Sequence, residues 1–165
     1  MKVLMINGSR REHGCTEAAL RFVAEALKEK CTEADGFVFG SPVYYASPSG
    51  EIQVVLDRLF SMAGDEMKYK PAAVVTSARR AGTTASLDVL AKYPSINEMP
   101  IVTSCYWPMV HGKKPEDVQK DEEGVYVMKR LGKNMAWILK SIEAGKAAGV
   151  PQPQPSQKPT TNFIV

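Results

Sequence analysis

Short apolar runs alternate with amphipathic helical stretches along this chain, and that alternation constrains its architecture more than any other feature. Val3, Leu4, Met5 and Ile6 form a run that suits a strand buried on both faces. Leu20, Val23, Ala24 and Leu27 then share one helical face, with Arg21, Glu25, Lys28 and Glu29 on the other. Residues 36–40 repeat the strand signal. The helix after them turns Ile52, Val55, Leu56, Leu59 and Phe60 inward, and Ser49 stands where a cap belongs. Residues 72–76 read as a third strand leading to a helix through Leu87 and Leu90, and residues 101–104 as a fourth strand. A last helix over residues 123–143 turns Met128, Leu131, Met135, Ile138, Leu139 and Ile142 inward. Strands separated by helices predict a parallel, doubly wound α/β sheet, in one domain over residues 1–149. Residues 150–165 break the pattern: Pro151, Pro153 and Pro155 predict an extended tail before apolar Phe163, Ile164 and Val165.

Open α/β sheets bind ligands at the carboxyl ends of their strands, and two loops there carry chemistry. The first, residues 7–16, leads into a helix whose first N–H groups and positive dipole end favour a phosphate. Ser9 and Thr16 add hydroxyls, Arg11 rather than Arg10 adds a charge-assisted bond, and Gly14 permits close backbone approach. Gly8 to Gly14 is one residue too long for a Walker A loop, no Lys precedes Thr16, and the G-x-G-x-x-G dinucleotide fingerprint is absent. The second loop is Ser41, Pro42, Val43, Tyr44 and Tyr45. Stiff backbone beside apolar ring surface suits an isoalloxazine, which needs contact on its faces and amides near its edge. Together the loops imply flavin mononucleotide. The loop over residues 76–82 forms a third wall, where Arg79 and Arg80 can hold an anionic group of a second substrate. His111 and Trp107 follow the fourth strand at the same edge, and a lone histidine there is more often structural.

Composition narrows the class. The 165 residues are 44% hydrophobic, enough for one cored domain. A net charge of +3, with its 21 basic residues scattered, leaves no nucleic-acid footprint. Apolar runs are strand-sized, so no membrane span is expected, and nothing after Met1 and Lys2 reads as a secretory signal. Three cysteines are too few and too dispersed for a disulfide framework or a zinc site, which suggests a reducing cytoplasm. Cys31 and Cys105 read as small buried hydrophobes.

On these residues the chain resembles the flavodoxin-like NADPH-dependent FMN reductase superfamily, which includes multimeric flavodoxins, quinone-reductase-like proteins and the flavin domain of iron–sulfur flavoproteins. The likeness covers residues 3–16, 34–60 and 72–82, and more loosely 102–112 and 121–136. It implies a flavodoxin-like sheet of strand order 2-1-3-4-5. By resemblance Ser9, Arg11, Gly14, Cys15 and Thr16 hold the FMN phosphate, with Cys15 in place of the usual Asn or Ser. Pro42, Val43, Tyr44 and Tyr45 cradle the ring, while Ser77, Ala78, Arg79 and Gly82 close the ribityl and pyrimidine side. The implied activity passes hydride from NAD(P)H through FMN to a quinone, azo or nitro compound, or free flavin. The implied assembly is a homodimer or homotetramer. No side chain is assigned as catalytic, because the cofactor supplies the reactive atoms.

One departure stands out. The first helix ends near Lys30 and the next strand begins by Gly36, which leaves no room for strand 2 and its helix. Direct closure makes a left-handed crossover, a topology found in about 2% of cases. We therefore expect a segment of the native chain to be missing between about Lys30 and Glu33. In iron–sulfur flavoproteins this stretch carries the cluster cysteines, so the alternative is an FMN electron-transfer flavoprotein, with or without a cluster, that does not turn over NAD(P)H. A third reading is an interaction protein that has lost its flavin.

Overall fold

The computed structural model describes residues 31–154 and 159–161. Residues 31–33 are helical, and Lys70 Nζ donates to the carbonyls of Cys31 at 2.7 Å and Thr32 at 2.8 Å. An ammonium group there satisfies terminal carbonyls and complements the negative end of the helix dipole. The chain then forms β1 (Phe37–Tyr44), β2 (Ser47–Pro48), α1 (Gly50–Met67), β3 (Ala72–Ala78), α2 (Thr83–Ile96), β4 (Met109–His111), α3 (Pro115–Val118) and α4 (Glu122–Ala147).

The described strands form one sheet in the order β2-β1-β3-β4. Parallel pairing sets Phe37 opposite Ala72 through to Pro42 opposite Ser77, and Thr76, Ser77 and Ala78 opposite Met109, Val110 and His111. β3 is central, and its sequence shows why. Ala72, Ala73, Val74, Thr76 and Ala78 are all buried, because helices cover both faces. On one face Val74 and Phe39 pack with Leu56 and Met67 of α1 and with Leu87 and Leu90 of α2. On the other, Ala73 and Val75 meet Leu131, Met135 and Ile138 of α4. The inward faces read from helical spacing are the faces that pack.

Two expectations need correction. The sheet is mixed, because β2 runs antiparallel to β1. The fourth strand is also not a run over residues 101–104. Ile101 makes a single parallel bridge to Ala72, and pairing resumes only at Met109 opposite Thr76. Eight residues of this edge strand thus span what four cover on β3, and the surplus leaves the sheet as an excursion over residues 102–108. Pro108 has no N–H to give to a ladder, and side chains hold the excursion on α4 instead. Ser104 Oγ donates to Val127 O at 2.7 Å, and Asn134 Nδ2 donates to Thr103 O at 2.8 Å. Cys105 rides on this excursion and is exposed, contrary to expectation, whereas Cys31 is buried in the core as expected.

Thr76 is 2% exposed, and its Oγ1 has no hydrogen-bond partner. An unsatisfied buried hydroxyl is costly. Thr76→Val, which keeps the branched shape, is therefore expected to leave stability unchanged or raise it by about 1 kcal/mol, as read from the urea midpoint. No helix among the described residues is long and apolar enough to cross a membrane.

Candidate functional site

The segments after β1, β3 and β4 build the carboxyl edge of the sheet. Expected as a loop, Ser41 to Tyr44 instead continue β1, and Tyr45 and Ala46 turn the chain back into β2. Val43 lies opposite Pro48 and Tyr44 opposite Ser47, so this is a two-residue hairpin. Such turns require positive φ at both central residues, and Tyr45 (φ 49°) and Ala46 (φ 58°) comply. Neither is glycine, and the left-handed conformation costs roughly 1–2 kcal/mol per residue. The turn is held by its base. Ser41 Oγ, itself buried, accepts the Ser49 N–H at 2.9 Å, and Ser49 caps α1. The outcome is a fixed hairpin that presents Tyr44, 58% exposed, and Tyr45, fully exposed, at the edge.

The loop after β3 closes on that hairpin. Gly82 has φ 95°, and a Cβ there would lie 2.7 Å from Ala46 Cα and 2.9 Å from Val43 Cγ1. Only glycine permits this contact, so the second and third walls read from the sequence meet. Ser77 and Arg79 are exposed beside it, while Ala78 is buried as the last residue of β3. Gly82 also opens α2, whose N-terminus carries no side-chain cap.

His111 ends β4 opposite Ala78, and the Gly112 N–H donates to Ala78 O at 3.0 Å. Asp121 anchors this corner. Its Oδ2 accepts the His111 backbone N–H at 2.7 Å and lies 3.5 Å from His111 Nδ1, while its Oδ1 accepts the Gly124 N–H at 2.9 Å and caps α4. The Gly124 N–H, then the His111 N–H and ring, hold the Asp121 carboxyl below its usual value against the opposing effect of burial. Asp121→Ala is expected to cost about 1–2 kcal/mol through the lost cap. Because the folded value is depressed, the charge of Asp121 stabilises fully above the ordinary carboxylate value of about 3.9, and the benefit is lost as pH falls through the folded value. The stability gap between wild type and Asp121→Asn should therefore close in acid urea titrations. Asp121 was missed by the sequence reading, although an Asp before two glutamates and an amphipathic run is a helix-start signal. Trp107 was expected beyond the fourth strand; it lies before β4, exposed on the excursion.

At the edge, an open groove of about 290 Å³ is lined by Pro42, Thr76, Ser77, Val110 and Met128 among others. Exposed tyrosine rings, a rigid positive-φ turn and a glycine contact suit a flat ring with polar edges. Ser9, Arg11, Gly14, Cys15 and Thr16, the expected phosphate ligands, lie outside the described residues. Among the described residues, no three His, Cys, Asp or Glu side chains gather as a metal site.

A central sheet whose β1, β3 and β4 run parallel, with helices on both faces and loops meeting at its carboxyl edge, defines a flavodoxin-like α/β protein. Residues 23–114, more than half of the chain, match the family NADPH-dependent FMN reductase, and the chain belongs to that family. It is 31% identical over 129 residues to an iron–sulfur flavoprotein of Methanocaldococcus jannaschii, covering 73% of this chain and 66% of that one. The chain thus spans just under two thirds of that relative's length. Among solved structures, the Trp repressor binding protein from Bacillus subtilis superposes with a TM-score of 0.57 at 17% identity, over 66% of this chain and 75% of the other. A WrbA-like flavodoxin from Agrobacterium tumefaciens gives 0.52 at 18% identity, over 64% and 69%. At these identities the two structures speak for the fold alone.

Proposed function

We propose that this protein binds FMN at the carboxyl edge and is a cytoplasmic oxidoreductase that uses NAD(P)H to reduce a small electron acceptor such as a quinone, azo or nitro compound, or free flavin. The supporting observation is the contact of Gly82 with Val43 and Ala46, which joins two of the three expected walls. Bound FMN supplies the hydride-accepting and hydride-donating atom, and the protein supplies position. Ser9, Arg11, Gly14, Cys15 and Thr16 would hold the phosphate, with Arg11 providing the charge. Pro42, Val43, Tyr44 and Tyr45 would support the ring, with tyrosine faces shielding it from water. Ser77, Ala78, Arg79 and Gly82 would close the remaining side, and Arg79 and Arg80 would attract an anionic group of a second substrate.

Purified protein should show flavin absorbance, or take up added FMN in a titration, and should oxidise NADPH or NADH when a quinone is supplied. A preparation that neither carries nor binds FMN sinks the reading. The likeness to an iron–sulfur flavoprotein favours a second reading, an FMN electron carrier with a cluster. Under it the native chain carries a further segment between about Lys30 and Glu33 that holds the cluster cysteines. Intact mass above 18.1 kDa, broad cluster absorbance and negligible NAD(P)H turnover would select that alternative.

A further inference from the structure

We propose that Lys113 and Lys114 join Arg79 and Arg80 in one subsite at the carboxyl edge, which takes an anionic group, phosphate or sulfonate in type, fixed to a flat second substrate. The inference rests on the oxidoreductase reading above and deepens it. The two segments that carry these residues leave the sheet side by side. His111 stands opposite Ala78 in the β3–β4 pairing, and the Gly112 N–H donates to Ala78 O at 3.0 Å. Arg79 and Lys113 are each the next residue beyond that bond, where adjacent strands run about 4.8 Å apart. The hairpin closes the row. A Cβ on Gly82 would meet Ala46, so Tyr45, whose ring is wholly exposed, borders the arginine loop as an aromatic surface.

The fold uses the backbone of the lysines and leaves their charges spare. The Lys113 N–H donates to Asp117 Oδ2 at 3.3 Å, and Lys114 O accepts the Asp117 N–H at 3.0 Å, so a closed turn fixes both. Lys114 precedes α3 and gives it no side-chain cap. Both lysines and both arginines are exposed, and none has an ion-pair partner among the described residues. Most carboxylates of this edge are already engaged. Glu51 accepts from its own backbone N–H and from Ser49, Asp117 pairs with Lys120 at 3.4 Å, and Asp121 holds His111 and Gly124. Glu122 and Glu123 complement the dipole of α4 on the outer stripe shared with exposed Tyr126 and Arg130. That leaves Glu116 beside four cations. Charge of one sign gathered at a cleft concentrates ligands of the other sign, and lysine and arginine bind such anions through charge-assisted hydrogen bonds. Two sources of the anion meet the flavin in turn: the ribose phosphate of NADPH and an anionic group on the acceptor.

Steady-state kinetics of the full, FMN-loaded chain separate the sources. One arm compares naphthoquinone sulfonate with naphthoquinone at fixed NADH, and the other compares NADPH with NADH on neutral naphthoquinone. The more highly charged member should have the higher kcat/KM in at least one arm, through KM, and added salt should erode the preference. Lys113→Glu combined with Lys114→Glu should cut that preference at least about tenfold. Turnover of NADH with naphthoquinone, FMN content and the circular dichroism spectrum should stay the same. Comparing ratios across variants cancels the acceptors' own potentials. Lys113→Arg with Lys114→Arg should keep the preference, because the charge is kept. Calorimetry with naphthalene sulfonate, which is not reduced, should show the same weakening without any turnover if the acceptor carries the anion. If the doubly reversed variant fails to fold, Lys113→Ala and Lys114→Ala carry the test, each with a smaller loss in the same direction. No preference in either arm overturns the proposal, as does a preference that persists unchanged in the folded variants. A protein that holds FMN but reduces neither acceptor sinks the oxidoreductase reading instead, and naphthalene sulfonate binding then decides this subsite by itself.

Discussion

Gly82→Ala should lower the melting temperature by about 6–12 °C and weaken FMN uptake. Two costs add. A side chain at φ 95° is strained whatever the space around it, a penalty of roughly 1–2 kcal/mol. The new Cβ would also stand 2.7 Å from Ala46 Cα, a backbone atom that moves only if the Tyr45–Ala46 turn moves with it. Overpacking of this kind costs about 1–3 kcal/mol. The sum, about 3 kcal/mol, converts to that shift at roughly 2–4 °C per kcal/mol for a chain of this size. Gly50→Ala is the control, as nothing lies within 4 Å of a Cβ there, and it should change the calorimetric midpoint little. Equal shifts in the two variants would show that the hairpin and the loop after β3 do not depend on each other.

Arg11→Ala should reduce FMN affinity about 10- to 100-fold, the consequence of losing a charge-assisted hydrogen bond of roughly 1.5–3 kcal/mol to a phosphate. The comparison to make is with Arg10→Ala, and with riboflavin as ligand in place of FMN. Riboflavin has no phosphate, so its affinity should be the same in wild type and Arg11→Ala. A larger loss of FMN binding in Arg10→Ala would transfer the phosphate contact to that neighbour. Equal losses for FMN and riboflavin would show that Arg11 acts on the fold of the loop.

The legible part of this fold is the part that periodicity can encode. Helical spacing placed Leu56, Leu90 and Leu131 inward, and all three are buried. The apolar run at residues 72–76 marked the central strand, because a strand covered on both faces needs no alternation. The edge strand was misread for the complementary reason. Ile101 and Val102 look like a strand, but pairing register depends on partners distant in sequence, and here only Ile101 bridges before the chain departs. The hairpin escaped notice because Tyr45 and Ala46 are not residues that advertise a positive-φ turn. Its place is enforced from outside, by Ser49 and by the approach of Gly82. Asn97 shows the same limit. Its side chain donates to Gly64 O at 2.8 Å beside the break in α1 at Ala63, a contact between positions 33 residues apart.

The brevity of β4 has a further consequence. A long, flat outer strand offers its free amides and carbonyls to any chain of matching sequence, and such a ladder can grow without end. Here the outer strand pairs over three residues, and the chain before it bulges away with its backbone fastened to a helix. Recognition on that flank must therefore run through side chains, whose geometry is satisfied once and then closed. On that flank, among the described residues, end-to-end growth by strand addition has little backbone to build on.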